Sequence, residues 1–251
     1  ILQDGLKTTS YGTTLYLMAG SNDNSEHIKS ATVAGNNTTG GWAGNRMRPD
    51  LVLKFFPNND APNVAAYAMP AAADDDRALF DGEGRNVSNG DDEKGVKVFT
   101  NGFSVCKFNN FKTDGSAGHN SLFPDADFFL MRAAEAYLMY AEADARQNNG
   151  TTTAQGTAYI NALRTRANAT TQTAYSLRQI CDEWSREFYF EGLRRTTLIR
   201  FGYFGGNVNY NWSWKGGVKS GRNFDSHLNL FPIPTSDLVA NEANLIQNPG
   251  Y

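Results

Sequence analysis

Apolar residues recur every three or four positions along three stretches between residues 127 and 200. That spacing commits this part of the chain to packed α-helices. The first stretch, 127–147, places Leu130, Met131, Ala134, Tyr137, Leu138, Ala141 and Ala145 on one face. Asp127, shortly after Pro124, is its expected N-cap, and Asn148-Asn149-Gly150 ends it. Glu142 and Arg146 form an i,i+4 pair expected on the outer face. The second stretch, 153–168, carries Ala158, Ile160, Leu163 and Ala167. The third, 176–200, carries Leu177, Ile180, Cys181, Trp184 and Phe188, with Gly192 as a kink or close-packing point. The first two, joined by a short turn, make a helical hairpin of tetratricopeptide size, about 40 residues. One such unit cannot bury its own face, so partners are expected elsewhere.

The remainder has a different texture. Residues 1–125 are rich in turn-forming clusters such as Asn22-Asp23-Asn24, Gly35-Asn36-Asn37 and Asp81-Gly82-Glu83-Gly84. One β-hairpin is expected near 96–108. Val96 to Phe99 and Phe103 to Phe108 both alternate, and Asn101-Gly102 between them supplies the positive φ angles of a tight turn. The tail holds Phe231-Pro232-Ile233-Pro234, an extended packed segment, because proline cannot donate to a central ladder. An irregular, loop-rich region over 1–125 is thus expected beside a helical region with an extended tail over 126–251. The opening Ile1-Leu2-Gln3-Asp4-Gly5 is unlike a signal peptide or a mature secreted start, so an N-terminal part is expected to precede it.

A formal net charge of −3 supplies no basic field for nucleic acid or an anionic membrane face. No apolar run reaches the roughly 18 residues that span a bilayer. Cys106 and Cys181 are expected to be two buried free thiols. His27, His119 and His227 lie far from metal-ligand spacing of one another, and no zinc site or cofactor is expected. The acidic loops 74–76, 81–83 and 91–93 do not match an EF-hand, and solvated loops are expected there.

The third helix carries Glu183, Arg186, Glu187, Glu191, Arg194 and Arg195. Paired carboxylates can serve as acid and base when their environments separate their pKa values. Opposite charges at helical spacing act the other way, so plain salt bridges are expected and no catalytic residue is named. Trp42 is the leading binding candidate. It lies in Gly40-Gly41-Trp42-Ala43-Gly44-Asn45-Arg46, where flanking glycines leave few local neighbours to cover its ring. Asn45 and Arg46 add donors and acceptors beside it. A loop anchor tucked into the core fits Trp42 equally well. Tyr11 and Tyr16 join the candidates from the same region, although Tyr16 also suits an ordinary strand. Tyr210, Trp212 and Trp214 would share one face if extended, but a structural role is preferred for them.

Several segments together resemble the SusD/RagB family. DFFLMRAAEAYLMYAEADA at 127–145 is similar to its signature helix, and INALRTRAN at 160–168 to the helix after it. EWSREFYFEGLRRTTLIRFG at 183–202, NYNWSWKGG at 209–217 and LFPIPTSDLVANEANLIQNPGY at 230–251 follow in the family's order. The resemblance implies a mainly α fold, in which tetratricopeptide-like helical hairpins support a large irregular, loop-rich ligand-binding part. It implies a surface lipoprotein of the outer membrane that captures oligosaccharides, or in some members peptides. It also implies a SusC-like TonB-dependent transporter as partner and no catalysis. Membrane contact would run only through a lipid anchor outside this chain.

Overall fold

A computed structural model describes residues 46–86, 98, 101–107, 111–118, 129–241 and 244–251. The chain divides into two compact units, Ile1–Gly192 and Leu193–Tyr251. The described residues are mainly helical with one small sheet, in line with the expected class.

In the first unit the sheet has three short antiparallel strands, β1 (Arg46–Met47), β2 (Phe80–Asp81) and β3 (Phe103–Val105), in the order β1-β3-β2. Two short helices lie between β1 and β2. They are α1 (Pro49–Val52) and α2 (Met69–Ala73), each with a proline in its first turn, where the missing N–H costs nothing. All three residues of β3 are buried, so the strand is covered on both faces rather than alternating. Phe80 stacks on Phe103 at 5.8 Å and meets Phe55 edge-on at 5.5 Å. Met47, Val52, Phe56, Met69, Ala78, Val105 and Tyr189 complete this core.

Phe103–Val105 is a strand as expected, but both of its edges are taken by β1 and β2. Residues 96–108 are therefore not an isolated two-stranded hairpin. Of the expected Asn101-Gly102 turn, Gly102 has a positive φ of 85° and Asn101 does not, and the bond from the Asn101 N–H to the Val98 carbonyl at 3.0 Å closes the residues before it. Residues 96, 97, 99 and 100 lie outside the described set, as do 119–128, where the change of texture near 125 and the Asp127 cap were expected.

The helical hairpin comprises α3 (Ala133–Gln147) and α4 (Ala154–Arg166). Ala134, Leu138, Ala141 and Ala145 form the buried stripe of α3, as their spacing requires. The helix begins later than expected. Arg132 is extended (φ −132°, ψ 150°), and Leu130 and Met131 precede the helix and are exposed instead of joining the stripe. Glu142 does pair with Arg146 at 2.9 Å, but the carboxylate is buried rather than on the outer face. One turn beyond Leu138 places it on the inner stripe.

In α4, Gly156, Thr157, Ile160 and Leu163 face inward, while Ala158 is exposed. Gly156 permits close contact with α3, because a Cβ there would lie 2.2 Å from Asp144 Oδ2. That carboxylate accepts from the Thr153 N–H at 2.7 Å and from its hydroxyl at 2.8 Å, placing negative charge at the start of α4.

The expected third helix is broken in two. α5 (Leu177–Phe188) opens with a Ser176–Gln179 capping box, and its stripe holds Ile180, Cys181, Trp184 and Phe188. The helix stops at Tyr189. Phe190 and Gly192 both have positive φ, at 60° and 79°. A Cβ at Gly192 would meet nothing within 4 Å, so the turn and not close packing calls for glycine there. Cys106 and Cys181 are buried free thiols, and burial raises the Cys106 pKa.

In the second unit α6 (Arg194–Arg200) leads into loops with two 3₁₀ turns, Lys215–Gly217 and Ser226–Asn229, and then α7 (Thr235–Ala240). Segment 231–234 is irregular and is pinned by side chains. Ile233, between two prolines, donates its N–H to Gln247 Oε1 at 2.8 Å and accepts from Gln247 Nε2 at 3.0 Å. A glutamine side chain thus takes the place of a neighbouring strand.

Candidate functional site

Of the binding candidates, Tyr11, Tyr16, Trp42 and Asn45 lie outside the described residues. Arg46 begins β1 and is half-buried. Its Nη1 donates to the Val98 carbonyl at 2.5 Å and to the Asn101 carbonyl at 2.6 Å, so it fastens the turn before β3. Burial, helped by the nearby Arg85, lowers its pKa. Arg46 therefore ties the start of β1 to the segment just before β3.

The densest polar arrangement lies beneath α5. Arg77 grips Asp75 through two parallel bonds of 2.8 and 2.7 Å and reaches Glu183 at 2.8 Å and Glu187 at 3.3 Å. Arg164 and Arg186 hold the other oxygen of Glu183 at 2.7 and 3.0 Å. Arg166 and Arg132 hold Glu187 at 2.7 and 2.9 Å. Arg132 then forks onto Glu191 at 2.7 and 2.9 Å. Lys107 joins Glu191 Oε1 at 2.5 Å and also donates to the carbonyls of Glu187 and Tyr189, neutralising the C-terminal end of α5.

This arrangement opposes acid–base chemistry. Burial alone would raise the Glu183 carboxyl, yet Arg186, Arg77 and Arg164 outweigh burial and hold it at about 2. Burial also works against ionised Glu187, and Arg166 and Arg132 again prevail and lower its pKa. A general acid needs a carboxyl kept protonated near neutrality. These two are held ionised, which agrees with the expected salt bridges.

Of the expected partners, Arg186 does pair with Glu183, at 2.9 Å. Arg194 and Arg195 belong to the second unit. The cluster instead recruits Arg77, Lys107, Arg132, Arg164 and Arg166 from other segments. The sequence signal was the four-residue spacing of Glu183 and Glu187, which puts both on the face of Ile180 and Trp184.

The acidic loops within the described residues are solvated at Asp74, Asp76 and Glu83, as expected, but Asp75 and Asp81 are buried. Asp75 is held by Arg77, and buried Asp81 accepts from the Ala66 N–H at 3.1 Å. Asp74 and Asp76 accept from Thr170 and Asn168. Residues 91–93, His27 and His119 lie outside the described set. Among the described residues no group of His, Cys, Asp or Glu is arranged to hold a metal.

The three rings of 210–214 do not form a free row. Tyr210 is buried flat against Tyr203 at 4.7 Å. Trp212 stacks on Phe204 at 6.0 Å and meets Phe224 edge-on at 6.3 Å. Trp214 is half-buried on left-handed backbone with φ 66°.

Against known proteins, the sequence matches the family model described as the SusD family over residues 6–251. The chain belongs to the SusD family. Starch-binding protein SusD from Bacteroides thetaiotaomicron is 38% identical over 282 aligned residues, covering 100% of this chain and 48% of that protein. The chain thus spans about half the length of this curated relative.

Among solved structures, a laminarin binding SusD-like protein aligns over 85% of this chain and 40% of its own, with 24% identity and a TM-score of 0.47. Surface glycan-binding protein A from Bacteroides thetaiotaomicron aligns over 59% and 30%, with 23% identity and a TM-score of 0.44. Membership rests on the family model and on the curated relative. Among the described residues of this SusD-family chain, no helix is long and apolar enough to cross a membrane.

Proposed function

We propose that this SusD-family chain captures an oligosaccharide without altering it, at the surface of an outer membrane, and delivers it to a SusC-like TonB-dependent transporter. A lipid anchor outside these 251 residues would hold it there. The observation that carries the reading is 38% identity along the whole chain to a protein named for binding starch. α-Glucan oligosaccharides are accordingly the first ligand class to try. Glu183 and Glu187 are held ionised in buried ion pairs, which disqualifies these two as the acid of a hydrolytic pair.

The binding surface in this reading is the Gly-rich stretch 40–46. Trp42 supplies a ring for the apolar face of a sugar, Asn45 supplies polar contacts, and Tyr11 and Tyr16 stand with them. Ring stacking plus amide hydrogen bonds gives modest affinity, because each exposed hydrogen bond returns little net energy.

The test is a glycan array with a parallel peptide panel, run on the chain and on Trp42→Ala. Retention of one oligosaccharide class that disappears in the variant is expected. Retention of peptides alone would replace the ligand class, and glycan binding indifferent to the variant would move the site away from Trp42.

A further inference from the structure

We propose that the loops over 203–224 enclose a monovalent-cation site, and that the chain fills it with its own Lys215 ammonium. Lys215 is 1% exposed. Its three N–H groups face three oxygens: the Tyr210 carbonyl at 2.6 Å, Asn223 Oδ1 at 3.2 Å and the Tyr203 carbonyl at 3.4 Å. The Asn223 amide is oriented by its Nδ2, which donates to Asn207 Oδ1 at 3.3 Å, so its oxygen is turned to the ammonium. The Trp212 ring lies 4.8 Å from Nζ and the Phe224 ring 5.6 Å.

Among the described residues, Lys215 has no carboxylate within ion-pair distance. The charge is met by carbonyl dipoles and ring faces, the same groups that hold desolvated monovalent cations. The neighbouring arginines are committed elsewhere. Arg222 Nε donates to the Gly216 carbonyl at 2.9 Å, and Arg194 Nη2 donates to the Tyr210 hydroxyl at 2.5 Å.

The backbone winds around this centre. Lys215 donates its N–H to the Trp212 carbonyl at 3.0 Å, and its own carbonyl accepts from Arg222 at 2.9 Å. Between Trp212 and Lys215 sits Trp214, whose positive φ is rare for so bulky a residue. Strained backbone persists where its surroundings over-determine it, and the enclosed ammonium does so here. The loop that carries Trp214 is thereby set by an internal ion, independent of salts in the medium.

Lys215→Ala empties the site, and methylammonium chloride is the probe that refills it. Amides within 203–224 should exchange at least about tenfold faster in the variant, because several buried acceptors lose their donor. Methylammonium should restore protection in a saturable way, while sodium chloride at equal concentration should not. Lys215→Met keeps the aliphatic stem without the charge and should stay fast with either salt.

Wild-type protection in Lys215→Met would overturn the proposal, because the stem alone would then suffice. Indifference of folded Lys215→Ala to methylammonium would overturn it as well. A direct check on the unaltered chain does not depend on either variant. The Lys215 side-chain nitrogen should give a slowly exchanging, fully protonated NMR signal at neutral pH, and a neutral amine there would sink the idea.

Discussion

The two compact units bury cations by different means. In the first, Arg77, Arg132, Arg164, Arg186 and Lys107 sit on Asp75, Glu183, Glu187 and Glu191. In the second, Arg195 lies 3.9 Å over the Phe231 ring and 4.9 Å over Phe204, and donates to the Leu228 carbonyl at 2.8 Å. Arg194 lies over Tyr210, and Lys215 over Trp212 and Phe224. Carboxylates titrate, whereas rings and carbonyls do not. The first unit therefore gains strong pairs at the cost of sensitivity to acid and to loss of any one partner. Among the described residues of the second, Arg195 and Lys215 rest on rings and carbonyls, whose own charge does not change with acid. Arginine suits both settings because its planar guanidinium can fork onto carboxylates or stack on rings.

The most damaging change should be Arg77→Met. It strands buried Asp75 and leaves Glu183 Oε1 without its donor, although Arg164 and Arg186 keep the other oxygen, and breaking a buried pair costs about 3–5 kcal/mol. Urea unfolding followed by circular dichroism should show the loss, and a cost below about 1 kcal/mol would deny the cluster its role.

Acid comes next. The Glu183 carboxyl sits at about 2 against an ordinary 4.5. Its folded pKa is depressed, so its contribution is complete above pH 4.5 and is lost as pH falls toward 2. The amount is about 3 kcal/mol. Hydrogen exchange resolved along the chain should show the protected amides of α5 weakening through that window. Equal weakening over 193–251 at the same pH values would erase the contrast between the units.

A smaller effect is expected from Arg195→Lys, which gives up the planar stack on Phe231. About 1–2 kcal/mol should be lost. The loss should be nearly unchanged by added salt in thermal melts, whereas strong salt dependence would point to an ionic partner. Least should follow from Arg166→Ala. Its side chain is 51% exposed, and Glu187 keeps Arg132 and Arg77, so the cost should stay within about 1 kcal/mol. A cost matching that of Arg77→Met would mean that exposure does not rank members of the cluster.

The helical stripes were legible because they depend on local spacing, and Leu138, Ala141, Ile160, Leu163, Ile180 and Trp184 are all buried as read. The start of α3 was not legible. Arg132 is drawn into extended backbone and bonds Glu187 and Glu191, more than fifty positions away, and no periodicity reports such a pull. Arg77 is hidden in the same way, separated from Glu183 by 106 positions. The partners of β3 were missed because a strand of three residues reads the same whether central or at an edge. Of the binding candidates only Arg46 has a described position, and its donors go to two backbone carbonyls, a role that residue type alone does not announce.

The central claim is that the chain holds an oligosaccharide and returns it intact. Its most direct test is size-exclusion chromatography of the chain with a fluorescently labelled α-glucan oligosaccharide, with the length of the released ligand read afterwards. Co-elution followed by release at the starting length is predicted. Failure of any glycan to co-elute, or release of shortened products, would contradict it.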